Sequence, residues 1–503
     1  MAVTPLRVAR RAGVYSDDVL GAAVADLDDD LVELAFLCVA AQERLTQLET
    51  ELANACPYRQ TREALARATA SAQRRYRAIA SQLHVLRTEA HLAPCSEPLV
   101  AHLAAERASL ADRLRAEQSM LAGLLAAPDW QSPAFLSSLA PAAGRQAGRI
   151  RAHWNDYKRD RHGDAADYEQ RYAERMIDGP PGTRALLTGC GMASFTTILW
   201  CLEAEGKLGR TVLAGQGLYH ETRLLLEQVL PGRVRFVDET DTAALLEAVD
   251  ASRPTALFLD SLSNTRWMSA PDLPAVIECL RGADTYLIVD NTCLSVSCQP
   301  LALAGESVRV VVFESLLKYA QLGLDRANAG VIVARRRDAE MLDAYREHLG
   351  TNIPDVAVHA LPPPHRGVLE RRLARLERNA IHLAERLEER APAGVAIVYP
   401  GIGAHRGRGA ARLPFRGGCV SVVFGEWGCR QRLLVSEALA EARRRGVALH
   451  AGSSFGFDTT RMYLAAAQAE CGTPFVRIAA GTEHRLQLEA LADALAVAVE
   501  ACA

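Results

Sequence analysis

The first part of the chain repeats apolar residues at the three- and four-residue spacing of α-helices. Ser16 precedes two aspartates and resembles an N-cap with an acidic first turn, and regularly spaced leucines continue one apolar stripe behind it. A second helix ends before Pro94 and a third begins near Ser96. The pattern predicts a helical hairpin or three-helix bundle over residues 1–128, which packs on the rest of the chain or mediates assembly.

After residue 128 the pattern changes to short apolar, β-branched runs that alternate with helical segments. Seven runs are candidate strands, at residues 184–189, 210–215, 234–238, 255–260, 285–290, 309–314 and 329–334. Strands separated by helices favour right-handed crossovers and a mostly parallel sheet with helices on both faces. The predicted class is therefore α/β, in which ligands bind at the carboxyl ends of the strands.

A long charged helix from about residue 365 leads into a smaller unit. Its strand candidates lie near "VAIVYP", "CVSVVFG", "GVALHAG" and "FVRIAAG". We therefore predict three domains: an N-terminal helical extension at 1–128, a large domain at 129–365 and a small α+β domain at 366–503.

Composition narrows the class of function. The 503 residues are 49% apolar and carry 57 Lys and Arg against 60 Asp and Glu, which gives a net charge of -3. This balance predicts no attraction to nucleic acid or to an anionic membrane, and no apolar stretch approaches the roughly 20 residues of a membrane span. The expected partners are a small molecule and other protein chains.

The cysteines and the N-terminus predict where the protein resides. The 12 cysteines show neither a C-x-x-C pair nor the spacing of a zinc site, which predicts reduced thiols and no bound metal. The first 20 residues contain arginines but lack an apolar segment followed by a small-residue cleavage site, so no secretory signal is expected. Together these features predict a cytoplasmic protein.

Polar side chains lie where three predicted strands end. Asp260 ends "LFLD", Asp290 ends "LIVD", and Ser315 and Lys318 follow "VVVF". Because parallel strands end at one edge of a sheet, these side chains are expected to form a polar cluster in a crevice. Apolar surroundings favour the neutral, nucleophilic amine of the lysine, and an acidic partner suits the ring nitrogen of pyridoxal phosphate (PLP). The alternative is a lysine that snorkels to solvent from a strand end.

Seven motifs, in order, resemble successive signatures of one enzyme family. They are "DYKR" (156–159), "TGCGMAS" (188–194), "GLYHETR" (217–223), "LDSLSNT" (259–265), "VDNT" (289–292), "ESLLKY" (314–319) and "FVRIAAGTE" (475–483). From about residue 150 onwards the chain resembles the Cys/Met-metabolism family of PLP enzymes, which includes cystathionine γ-synthase, cystathionine γ- and β-lyases and methionine γ-lyase. The resemblance implies the fold-type-I architecture of PLP-dependent transferases, with PLP as the cofactor.

The resemblance implies roles for the residues around the cofactor ring. Lys318 would hold the internal aldimine and then move protons at Cα and Cβ, while Asp290 would pair with the pyridinium nitrogen. Thr292 would lie beside the ring, and Asn264 would bond its 3′-oxygen side. Tyr219 would stack on the ring and exchange protons with the leaving group; the alternative is an ordinary core tyrosine.

A second set would hold the phosphate. Gly191 and Met192 open a helix whose backbone N–H groups would bind it, with the hydroxyl of Ser315. Tyr157 and Arg159 resemble a Tyr-x-Arg pair that reaches the phosphate of a neighbouring subunit. The resemblance therefore implies a homodimer or homotetramer with sites shared between subunits.

A third set would bind the substrate. Arg477 would clamp the α-carboxylate, and Ser454 in "GSSFG" would lie near the same group. "YHET" stands where the family often has Tyr-Gly-Gly-Thr, so we hypothesise that Glu221, with His220, reshapes the pocket for the substrate side chain. A solvated surface glutamate is the alternative.

Several positions depart from the family pattern. Leu317 replaces the threonine that usually precedes the lysine, which removes one phosphate hydroxyl. Leu262 and Thr265 stand in place of prolines in "SLSNT". These departures, and the additional helical region, favour a role in specialised amino-acid biosynthesis.

The resemblance implies a PLP-dependent carbon–heteroatom lyase or γ-substitution transferase. Its substrate would be an L-amino acid with a leaving group at the γ- or β-carbon. This group would be a thiol, an acyloxy group, a sulfonium or a halide, and it would either be lost by γ-elimination or be replaced by a nucleophile. Two alternatives stay open, since fold alone does not fix the reaction. One is an aminotransferase or decarboxylase, and the other is a non-catalytic relative whose helical domain binds a partner.

Overall fold

The computed structural model describes most of the chain, namely residues 16–55, 59–127, 163–263, 265–403, 405, 413–425, 430–466 and 474–502. Three residues that the resemblance assigns to the cofactor site, Tyr157, Arg159 and Asn264, lie outside the described residues. The predicted boundary between the first two domains lies outside them as well, and the division into three domains stays a prediction.

Three long helices form the N-terminal bundle. They are α1 (Asp17–Ala55), α2 (Arg59–Leu92) and α3 (Glu97–Ala126). The predicted start of α3 is confirmed, because the Ser96 hydroxyl accepts a hydrogen bond from the backbone N–H of Leu99 at 3.4 Å. Apolar side chains of all three helices share one core, among them Leu31, Leu45, Tyr76, Leu83, Leu103 and Leu110. Of the two arrangements that the sequence left open, the three-helix bundle is therefore the one present.

The large sheet contains all seven predicted strands, each within two residues of its expected bounds. They are β1 (Thr183–Thr188), β2 (Val212–Gly215), β3 (Val234–Val237), β4 (Ala256–Asp260), β5 (Tyr286–Asp290), β6 (Arg309–Ser315) and β7 (Gly330–Arg335), in the order β1-β7-β6-β5-β4-β2-β3. Strands β2 to β6 are parallel, and β7 is antiparallel to both of its neighbours. The mostly parallel sheet is confirmed.

Helices cover both faces of this sheet. They are α4 (Gly163–Met176), α5 (Gly191–Ala204), α6 (His220–Val229), α7 (Thr242–Ser252), α8 (Leu273–Cys279), α9 (Pro300–Ala304), α10 (Arg336–Leu349) and α11 (Asp355–Ala360). Successive residues of β4 enter different cores: Phe258 packs with Phe195 of α5, whereas Leu257 and Leu259 join the larger core on the other face. A sheet buried on both faces explains why its strands are apolar throughout.

The described part of the C-terminal unit contains a second sheet and three helices. The helices are α12 (Arg366–Arg390), α13 (Arg430–Arg445) and α14 (Arg485–Ala501). The strands are β8 (Val395–Tyr399), β9 (Ile402–Gly403), β10 (Cys419–Phe424), β11 (His450–Ala451), β12 (Arg461–Ala465) and β13 (Phe475–Ala479), in the order β11-β12-β13-β10-β8-β9. The sequence pattern missed β9 and β12. An alanine-rich run follows β12, and such a composition favours a helix.

No helix among the described residues combines the length and the apolar composition needed to cross a bilayer.

Candidate active site

A cavity of about 260 Å³ lies at the carboxyl ends of β4, β5 and β6, the edge at which the sequence places the site. It is lined by Asp260 of the predicted polar cluster and by eight of the residues that the resemblance assigns to the site, namely Gly191, Met192, Tyr219, Asp290, Thr292, Ser315, Lys318 and Ser454. The C-terminal unit contributes Ser454, so the cavity lies between the large sheet and the smaller one.

Lys318 ends inside this cavity. Its Nζ donates a hydrogen bond to Ser454 Oγ at 2.8 Å and lies 5.4 Å from the centroid of the Phe455 ring. Burial lowers the pKa of the Lys318 ammonium, because the charged form loses hydration. This direction agrees with the neutral amine expected from the sequence, and the bond to Ser454 disfavours a lysine that snorkels to solvent.

Asp290 and Thr292 form a rigid pair at the end of β5. The backbone N–H of Thr292 donates to Asp290 Oδ1 at 2.9 Å, and Thr292 Oγ1 accepts from the backbone N–H of Ser315 at 3.0 Å. Burial raises the pKa of the Asp290 carboxyl, and its hydrogen bonds and Lys318 offset this only in part. A cation bound beside Asp290 would therefore stabilise the carboxylate.

The N-terminus of α5 approaches Ser315 closely. Cys190 is the N-cap of α5, and its Sγ accepts from the backbone N–H of Ala193 at 3.3 Å. A Cβ on Gly191 would lie 2.8 Å from Ser315 Cβ, so glycine allows this approach. The first N–H groups of a helix have no acceptor within it, and together with the Ser315 hydroxyl they form a site for an anion.

Two buried carboxyl groups hold the loop that carries Tyr219. The backbone N–H of Tyr219 donates to Asp260 Oδ2 at 3.1 Å, and that of Gly217 donates to Glu239 Oε2 at 3.1 Å. Burial and the hydrogen-bonded carboxylate of Glu221 raise the pKa of the Tyr219 phenol. Tyr219 is therefore favoured as a neutral phenol that carries its proton.

Two predicted substrate residues do not line the cavity. Glu221 is exposed in the first turn of α6 and is connected to the site by its bond to Tyr219. Arg477 is 2% exposed on β13, where Nη1 donates to Tyr463 Oη at 3.5 Å and Nη2 donates to the carbonyl oxygen of Thr265 at 3.3 Å. Since Tyr463 lines the cavity, Arg477 contacts one of its walls.

Sequence reasoning missed several residues of the lining, among them Tyr463, Phe455 and Cys293. Tyr463 belongs to the strand β12, which the pattern did not predict. Phe455 and Cys293 directly follow Ser454 and the motif "VDNT", so inspection of the residues next to each motif would have found them. Burial raises the pKa of the Cys293 thiol well above its ordinary value, so this side chain is a neutral wall of the cavity.

The residues present fit PLP. An amine with a lowered pKa is available for the aldehyde, and an incompletely compensated buried carboxylate is available for a protonated ring nitrogen. The N-terminus of α5 and Ser315 suit the phosphate. The volume of about 260 Å³ is close to the lower end of ordinary small-molecule pockets, roughly 300–1,000 Å³. Leu317 also lines the cavity and places an apolar side chain where the family usually has a hydroxyl.

Comparison with known proteins gives the same assignment. The sequence model of the family described as "Cys/Met metabolism PLP-dependent enzyme" matches residues 126–485. The bifunctional enzyme flvA of Aspergillus flavus is 28% identical over 351 residues, 68% of this chain and 42% of that protein. Methionine gamma-lyase of Arabidopsis thaliana is 26% identical over 241 residues, 46% of this chain and 52% of that protein. The chain thus spans about half, or less, of the length of these relatives.

Solved structures show the same fold. Cystathionine gamma synthase of Xanthomonas oryzae pv. oryzae superposes with a TM-score of 0.58 and 22% identity, over 71% of this chain and 90% of that one. The metB structure of Corynebacterium glutamicum gives a TM-score of 0.57 and 21% identity, over 68% and 87%. With the family match covering most of its length, the chain belongs to the Cys/Met-metabolism family of PLP-dependent enzymes and has their fold-type-I architecture.

Proposed function

We propose that the protein is a lyase or γ-substitution enzyme that acts on an L-amino acid with a leaving group at its γ- or β-carbon. The carrying observation is the buried amine of Lys318, held 2.8 Å from Ser454 Oγ in the cavity that Asp290 and Tyr219 also line. Relatives named methionine gamma-lyase and cystathionine beta-lyase support a thiol as the leaving group. An acyloxy group, a sulfonium or a halide is compatible with the same site.

The chemistry divides between the cofactor and the residues of this chain. When bound, PLP supplies an electron sink that acidifies the Cα–H of an attached amino acid. Lys318 takes the proton from Cα, since its lowered pKa favours the neutral amine that a base requires. Ser454 holds Nζ of Lys318 where it can take the proton from Cα and then move a proton at Cβ. Tyr219 donates its phenolic proton to the departing group.

The same residues account for binding and orientation. The N-terminus of α5 and Ser315 hold the phosphate, and Asp290, steadied by Thr292, balances the charge of the ring nitrogen. Arg477 attracts the substrate carboxylate from behind the cavity wall, through the Tyr463 hydroxyl that it contacts. Glu221 acts through Tyr219, because its hydrogen bond sets the orientation of the phenol.

We also propose that the protein functions as a homodimer or homotetramer. Tyr157 and Arg159 resemble residues that reach the phosphate of a neighbouring subunit, so a monomer would lack part of its phosphate site. Sedimentation of the PLP-loaded protein tests this, and an active monomer would contradict it.

Absorption spectra and product analysis test the reaction. The purified protein, loaded with PLP, is mixed with a panel of γ- and β-substituted L-amino acids, and Lys318→Ala serves as the control. We expect a visible band that is absent from the variant, and release of a 2-oxo acid and ammonia from one class of substrate without an amino acceptor. Release of a 2-oxo acid only when an amino acceptor is added would indicate an aminotransferase and contradict the proposal.

A further inference from the structure

A buried cluster of charged side chains joins the N-terminal bundle to the rest of the protein. It contains three carboxyl groups and three guanidinium groups, namely Asp30, Glu33, Arg107, Arg115, Arg372 and Asp458, and we refer to it as the Asp458 cluster. Four of its six members belong to α1 and α3. The other two belong to α12 and to the loop of residues 453–458, which carries Ser454.

The 453–458 loop lies directly against the backbone of Lys318. A Cβ on Gly456 would lie 2.8 Å from the Lys318 carbonyl oxygen, which shows how closely the two segments pack. Ser454 has a φ of 78°, a conformation that is costly for a residue with a side chain, on the order of 1–3 kcal/mol. Such a conformation persists only where its surroundings enforce it, so something must hold this loop.

Asp458 is the anchor of the loop. Its Oδ1 accepts from Arg372 Nη2 at 2.7 Å, and its Oδ2 accepts from Arg115 Nη2 at 2.6 Å and lies 3.3 Å from Arg107 Nη2. These three guanidinium groups hold the pKa of the Asp458 carboxyl well below its usual range, although burial opposes them. Two of the three belong to α3, so the bundle supplies most of the positive charge around the anchor.

Arg115 also contacts the segment that follows Lys318. Its Nε donates to the carbonyl oxygen of Gly323 at 3.4 Å. Gly323 has a φ of 74°, and a Cβ there would lie 2.3 Å from Asp458 Oδ1, so the two segments meet at this point. One side chain of the N-terminal bundle therefore contacts both the segment that carries Lys318 and the loop that carries Ser454.

We infer that the N-terminal bundle is part of the active-site framework, in which Arg107 and Arg115 are positioning residues that hold Ser454 against Lys318. They act through Asp458 and contact neither the cofactor nor the substrate. The effect on turnover rests on the proposed function, whereas the effect on the loop does not. The bundle sets the position of the base by fixing the loop that bonds its amine.

Hydrogen exchange of the full-length, PLP-loaded protein without substrate tests the inference. Arg115→Gln removes the bonds to Asp458 and Gly323 and replaces the charged side chain by a shorter, neutral polar one. We expect amide exchange in residues 453–458 and 318–326 to become faster, on the order of tenfold, because each segment loses one hydrogen bond from a charged group. Arg107→Gln is expected to affect residues 453–458 alone.

Arg113→Gln is the matched control. Arg113 lies on the same helix, two residues from Arg115, and bonds Gln82 of α2. In the Arg113→Gln protein, amide exchange in residues 453–458 and 318–326 is expected to equal that of the wild type. Asp458→Asn perturbs the cluster from the loop and leaves α3 unchanged, so it tests the same contacts should Arg115→Gln unfold the bundle.

The outcomes separate this inference from the proposed function. Unchanged exchange in residues 453–458 in both Arg115→Gln and Asp458→Asn would overturn it, whatever the enzyme does. With a substrate in hand, we expect Arg115→Gln to lower kcat on the order of tenfold with little change in KM, and Arg115→Lys, which keeps the charge, to restore part of it. A raised KM with unchanged kcat would mean that the loop only binds substrate and would contradict the positioning of Lys318.

Discussion

The approach of α5 to Ser315 allows a sharp test of the phosphate site by replacing Gly191 with alanine. The added Cβ would lie 2.8 Å from Ser315 Cβ and 3.1 Å from Ser315 Cα, closer than non-bonded carbons pack. Backbone atoms cannot yield as a flexible side chain does, so the N-terminus of α5 must move away from Ser315. Overpacking of this kind typically costs about 1–3 kcal/mol.

We expect this cost to appear in cofactor affinity, because the displaced helix end and Ser315 are the groups that would hold the phosphate. At about 1.4 kcal/mol per tenfold, the Kd for PLP should rise roughly five- to 150-fold. Titration of the apoprotein with PLP, followed by the visible band, measures this directly.

Gly189→Ala is the matched control. Gly189 lies two residues earlier, and a Cβ there would lie 3.9 Å from its nearest neighbour, the carbonyl oxygen of Asn352, in ordinary van der Waals contact. Its Kd should stay within about twofold of the wild type. Equal losses in the two variants, or a Gly191→Ala protein that binds PLP as tightly as the wild type, would refute the reasoning.

Three further changes test other groups. Burial raises the pKa of Glu314 to about 8, so its contribution to stability is complete below its unfolded pKa of 4.5 and is lost as pH rises toward 8. In thermal melts from pH 5 to 9, the Tm of Glu314→Gln should therefore rise relative to that of the wild type as pH rises. A Tm difference that stays constant with pH would contradict this. Tyr463→Phe removes the hydroxyl bonded to Arg477. Because one charged hydrogen bond is lost, KM should rise about tenfold with little change in kcat. An unchanged KM would mean that Tyr463 does not take part in substrate binding. Glu221→Gln should change the rate of the proton donation by Tyr219 and its pH dependence, and an unchanged pH profile and substrate preference would make Glu221 a surface residue.

The sequence predicted the sheet and the site at its edge because both follow from local patterns. Continuous β-branched runs marked the strands, and the polar residue at the end of each run marked the cavity, as Asp290 and Lys318 show. Tyr463 was not predictable in this way, since the five residues of β12 show neither alternation nor an apolar run bounded by turn residues. Arg477 was placed on the correct strand, but only the tertiary structure shows that it contacts Tyr463 and does not itself line the cavity.

The Asp458 cluster was beyond local patterns for a different reason. Asp30, Arg107 and Asp458 are separated by long stretches of sequence, and each lies in a segment where a charged residue is unremarkable on a helix or loop. The sequence predicted that the N-terminal helices pack on the rest of the chain or mediate assembly. The structure shows the packing, and it shows that the contact reaches the loop beside Lys318.

The chemistry of this contact also limits how the N-terminal bundle can behave. Asp26 of α1 forms a second anchor, since its carboxylate accepts from Arg378 at 2.7 and 2.9 Å and from the backbone N–H of Arg485 at the start of α14 at 2.8 Å. Buried ion pairs add little net stability, but removing one partner of such a pair costs about 3–5 kcal/mol because the other charge is left buried without compensation. Each anchor therefore matches one register of α1 on α12, because a shifted register that stays docked would leave buried carboxylates without their guanidinium partners. We therefore expect the bundle and the C-terminal unit to unfold together as one cooperative unit. The docked bundle is an outer layer of the active site, and it cannot loosen without disturbing Ser454.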